Sequence, residues 1–122
     1  MIPFLVYKTF HLIGVMLTIV ALGGMAIHAA NGGTRDQSLT RRLTTATHGV
    51  GLLLVLVAGF GMLAKLDGPA NSGWVWIKLV IWLTLGAAAV VPYRRPQFAR
   101  ALFLIVPLLA ALAAIVAITK PL

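Results

Sequence analysis

Long apolar runs alternate with short polar ones along the whole chain. The first run covers about residues 3–30 and stops at Asn31-Gly32-Gly33, a helix-ending signal, with Pro3 in its first turn, where a missing N–H costs nothing. It is too long, and too poor in a basic leader, to be a cleaved signal peptide. The second begins between Ser38 and Leu43, is strongly apolar from Val50 to Ala64, and ends before Asp67-Gly68-Pro69. The third opens at Trp74 after Asn71-Ser72-Gly73 and runs to Pro92; the fourth covers about 98–119, with Pro107 inside it. Each run is near the ~20 residues that carry a helix across the hydrocarbon core of a bilayer. The pattern predicts an all-α integral membrane protein with helices over about 3–30, 40–66, 74–92 and 98–119. Together they make a single transmembrane domain over 1–122. Short connections make neighbouring helices antiparallel, which gives an up-down-up-down four-helix bundle. A proline inside a membrane helix kinks it without ending it, so a bend is expected at Pro107.

Composition agrees: 61% of the 122 residues are apolar and 10% are charged, with a mean hydropathy of +1.02, outside the range of soluble domains. The net charge of +8 sits mainly in the connections. Arg35, Arg41 and Arg42 fall between the first two helices and Arg94, Arg95 and Arg100 between the last two, while Lys8, Lys65 and Lys120 lie on the opposite side. Basic residues in short loops face the cytoplasm, which places the 1–2 and 3–4 loops there and both termini outside the cell (inner) membrane. Orientation in the bilayer, with a secondary attraction to anionic headgroups, accounts for the charge, so no nucleic-acid partner is implied. Trp74, Trp76 and Tyr93 fit interfacial belts, and Trp82 lies deeper as packing.

Cysteine is absent, which removes disulfides, thiolate metal sites and cysteine nucleophiles. The spans hold no carboxylate, and the only acids, Asp36 and Asp67, lie in loops, which argues against hydrolytic dyads and against proton- or cation-coupled transport. Ionisable groups within the apolar runs are costly and mark sites by default. They are Lys8, His11, His28, His48 and Lys78. At about 1.5 Å rise per residue, His11 lies roughly 12 Å and Lys78 roughly 8 Å from helix starts on the same outer side. His28 and His48 share an inner layer.

Structural roles compete for several of these groups. Lys8 snorkels to the interface, and Lys78 either snorkels or serves a site. His28 caps the last carbonyls of its helix, points into headgroups, or clamps a haem iron together with His48. His48, near Thr44, Thr45 and Thr47, either makes an interhelical hydrogen bond or ligates. His11 and His28 stand about a quarter turn out of register, which rules against one shared ligand plane. His11, Gly14, Thr18, Ala21 and Met25 form one helical stripe; His48, Gly51, Val55, Gly59 and Met62 form a second, and Ala110, Ala114 and Ala117 a third. Stripes of small residues suit close helix contacts.

The stretch from Tyr7 to Val15, Tyr7-Lys8-Thr9-Phe10-His11-Leu12-Ile13-Gly14-Val15, together with Trp74-Val75-Trp76-Ile77-Lys78-Leu79-Val80, resembles the paired signatures of small CopD-like membrane proteins, including the HemJ-type protoporphyrinogen oxidases. The resemblance implies a haem- or porphyrin-binding membrane protein, an oxidoreductase in the HemJ case. His11 would be the haem-ligating (metal) histidine and Lys78 the functional, catalytic lysine, pairing with a propionate or substrate carboxylate. Where the HemJ type has tryptophan, proline and arginine, this chain reads Ala21-Leu22-Gly23-Gly24-Met25-Ala26-Ile27. Copper handling, the other association of the group, would need Met16 and Met62 to converge with His11. The rival class is a non-catalytic accessory subunit whose small-residue faces pack against other membrane subunits.

Overall fold

The computed structural model of the chain describes residues 2–37, 40–66 and 72–120. Within these it is helical without strands. Helix α1 spans Phe4–Ala30 and α2 Arg41–Lys65. The third span, Gly73–Arg94, joins α3 (Gly73–Ala87), a 3-10 turn (Ala88–Val90) and a short α4 (Val91–Arg94). The fourth span, Pro96–Thr119, is a 3-10 turn followed by α5 (Ala99–Thr119). All four spans are long and apolar enough to cross a membrane, and the architecture is that of a small integral membrane protein. Ser38 and the turn signal at Asp67-Gly68-Pro69 lie outside the described residues.

The boundaries follow local chemistry. Pro3 stands in extended geometry just before the first helical residue, and its carbonyl accepts from Val6 and Tyr7. At the other end of α1, Gly32 takes the left-handed φ of +85° that glycine tolerates best. Its N–H reaches the Ala29 carbonyl, and that of Gly33 reaches His28. These are the two bonds of a Schellman stop.

The third span departs from the sequence reading, which ended it at Pro92. Pro92 has no N–H for the carbonyl four residues back, that of Ala88, and its ring crowds that carbonyl. The chain tightens into the 3-10 turn at Ala88–Val90 and then resumes as α4 to Arg94. The break comes at Arg95, with φ −132° and ψ 68°. Helix α5 runs unbroken through Pro107.

Helices α1 and α2 are the closest pair. A Cβ on Gly51 would stand 2.9 Å from the Gly14 carbonyl and 2.6 Å from Thr18 Oγ1, so the backbones touch where these residues cross. Thr18 satisfies its own hydroxyl on Gly14 O at 2.8 Å. The antiparallel register runs from Tyr7 over Gly61, through His11 over Gly59 and Gly14 against Gly51, to Gly24 beside Thr44. The middle of the first two small-residue stripes, His11, Gly14 and Thr18 with Gly51, Val55 and Gly59, therefore lies in the α1–α2 interface.

The third stripe is not closed over within this chain. Ala114 is exposed and Ala110 and Ala117 are half-buried. Helix α5 instead packs through larger groups. Leu102 and Val106 join Leu22, Met25, Ala26 and Ala88 in the hydrophobic core. This core fills the half of the bundle nearest the arginine-bearing connections. Large apolar side chains left outside, among them Leu53, Val80, Leu104 and Ile118, suit contact with lipid chains.

Candidate functional site

The opposite, lysine-bearing half of the bundle holds a cleft. Helices α2 and α3 face each other but approach much less closely than α1 and α2, and side chains bridge the gap. Trp82 Nε1 donates to the Leu52 carbonyl at 2.9 Å, and His48 Nε2 donates to the Leu85 carbonyl at 3.1 Å. Trp82 is thus a crosslink between helices as well as packing.

Between Trp82 and the lysine-bearing ends of the helices lies an open cleft, with about 470 Å³ of space between atoms counted out to its mouth. His11, Val55, Leu56, Gly59, Phe60, Leu63, Trp74, Val75, Lys78, Leu79 and Trp82 line it. His11 and Lys78, expected at similar depth from the sequence, thus share one cavity. Its lining includes no carboxylate. At the rim, the Lys120 ammonium sits 5.5 Å from the Trp74 ring centroid, within cation–π range.

His11 Nδ1 lies 2.9 Å from the Val55 carbonyl. A carbonyl can only accept, so Nδ1 carries the hydrogen. In the neutral ring Nε2 then keeps its lone pair, the arrangement that orients metal-ligating histidines.

The two histidines nearer the arginine-bearing connections have other neighbours. His48, 8% exposed, is committed to α3 through Leu85, the interhelical role open to it. Thr44 turns back on its own helix, to Thr40 O and Arg41 O, both at 3.2 Å. His28 is half-buried and turns toward α4. Its Nδ1 shares a 2.7 Å hydrogen bond with the Tyr93 hydroxyl, and the rings meet edge-on with centroids 5.6 Å apart. Gly33 makes room for the ring, since a Cβ there would collide with it. Lys8 is exposed, as snorkelling requires.

Met16 is 62% exposed, and neither it nor Met62 lines the cleft with His11. Among the described residues no three His, Cys, Asp or Glu side chains group together.

Three features of the site escaped the sequence reading: the Val55 carbonyl as His11's partner, the Trp82 bond to Leu52, and the Tyr93 bond to His28. The available signal was Gly59, which shares a helical stripe with His48. Compared with protein-family models, curated proteins and solved structures, the chain gives no match.

Proposed function

We propose that this membrane protein binds a haem or porphyrin in the cleft between α1, α2 and α3, where His11 would hold the metal and Lys78 would pair with a propionate. The observation that carries the reading is the 2.9 Å bond from His11 Nδ1 to the Val55 carbonyl, made in the same cavity as Lys78. That bond presets the ring and reserves Nε2 for a metal.

The chemistry of the remaining lining fits a tetrapyrrole. Aromatic and aliphatic walls from Trp74, Trp82, Phe60 and Leu79 suit a flat apolar ring system. With no acid in the lining, an anion for the Lys78 ammonium must come from a ligand or from outside the cleft. Bound haem iron would supply one-electron chemistry. The chain's own part is to hold the ring nitrogen, pair the carboxylate and exclude water. The resemblance to CopD-like and HemJ-type proteins points the same way, and we place the arginine-rich connections in the cytoplasm of a cell-membrane protein.

An optical spectrum of the purified protein, before and after adding haem or protoporphyrin, tests the reading. A Soret band is expected, lost in His11→Ala and weakened in Lys78→Ala, with the helical fold retained by circular dichroism. His28→Ala and His48→Ala should perturb it less. A protein that neither retains nor takes up a tetrapyrrole refutes the proposal and leaves the accessory-subunit role.

A further inference from the structure

The basic residues are sorted by type as well as by number. All six arginines lie in or beside the 1–2 and 3–4 connections, and all four lysines, Lys8, Lys65, Lys78 and Lys120, belong to the other half of the bundle. The rule that orients helices counts lysine and arginine alike, so orientation does not account for an end built only from arginine. Guanidinium differs from ammonium in its rigid fork of donors, which matches two oxygens of one phosphate.

At that end two recesses adjoin through shared walls. One, with about 370 Å³ of empty space, is bounded by Arg35, Arg41, Thr44, Thr45, His48 and Tyr93, among others. The other, more open to its surroundings, is bounded by Arg35, Arg41, Arg42, Thr45 and Ala46. Arg41 pairs with Asp36 at 3.7 Å, but both side chains are exposed, and such a pair is weak enough for a stronger anion to displace. His48, held by Leu85, and Tyr93, held to His28, share the first recess with the apolar Met25 and Ala89.

We propose that this arginine-walled recess binds a phosphate group, with Arg35 and Arg41 as the bidentate partners and Thr45 as a hydroxyl donor. Two sources present that chemistry at this depth: the headgroup of an anionic phospholipid and a soluble phosphate. The site is independent of the cleft around His11 and stands or falls separately.

The test measures thermal unfolding of the purified full chain with phosphatidylglycerol vesicles, with phosphatidylcholine vesicles, and with inorganic phosphate alone. Stabilisation by phosphatidylglycerol only assigns the site to a lipid headgroup, and stabilisation by inorganic phosphate assigns it to a soluble ligand. The deciding variant is R35K/R41K, which keeps the charge and hence the orientation but removes the forks. It should weaken phosphate binding about tenfold, while R95K, outside both recesses, behaves as wild type. Equal binding by R35K/R41K and wild type, or no preference for either phosphate source over phosphatidylcholine, overturns the proposal.

Discussion

The imidazole of His11 lies over Gly59: a Cβ added there would stand 3.3 Å from both Nδ1 and Cε1 of the ring. The Val55 carbonyl that accepts from Nδ1 is one helical turn before Gly59 on the same face of α2. A side chain at 59 would cover that carbonyl, so the glycine is what lets a residue on α1 reach the α2 backbone.

Gly59→Leu should therefore displace the ring and loosen its anchoring bond. Loss of such an orienting partner ordinarily weakens metal affinity by about 10–100-fold. A haem titration followed in the Soret region measures it. Wild-type affinity in this variant would separate the ligand from the Val55 contact.

Gly51→Leu meets backbone atoms of Gly14 and Thr18 within 2.9 Å, which cannot move aside as a flexible side chain can. Overpacking of this kind costs about 1–3 kcal/mol, to be read as a lower unfolding temperature in detergent. Gly49 is the control. It lies in the same helix with nothing within 4 Å of an added Cβ, so Gly49→Ala should leave stability unchanged or raise it by up to about 1 kcal/mol.

Trp82→Phe keeps an aromatic wall but removes the donor to Leu52 O. The expected loss is about 0.5–1.5 kcal/mol. Since Trp82 also lines the cleft, tetrapyrrole affinity should fall with it. A variant of unchanged stability would show that the indole contributes by packing alone.

Sidedness is tested by reporter fusions. Those after Gly33 and after Pro96 should read cytoplasmic, and one at Leu122 should read outside, on the strength of the arginine-rich connections. The reverse pattern would invert the assignment of the two ends.

Helix positions were legible because apolar length and the Asn31-Gly32-Gly33 stop are local signals. The shared depth of His11 and Lys78 was legible too, since residue count converts directly into rise along an axis. Which partner a side chain meets was not, because that depends on the rotation and separation of helices. His28 and Tyr93 are 65 residues apart, and nothing local to either announces the other. The Ala110, Ala114, Ala117 stripe shows the same limit. Small residues permit a close approach without causing one, and α5 uses Leu102 and Val106 for its packing. Pro92 was read as a stop because its missing N–H is a local fact. The 3-10 turn that absorbs it is a response of the preceding residues.

Helices α1 and α2 meet backbone to backbone, whereas α3 is tied to α2 through Trp82 and His48. The walls of the cleft therefore differ in compliance. The His11 wall belongs to the stiff pair, and the Lys78 wall belongs to a helix held off by long side chains. Any widening of the cleft falls on the α2–α3 seam and leaves the His11 bond to Val55 in place, so the imidazole keeps its setting while the Lys78 ammonium moves with its helix.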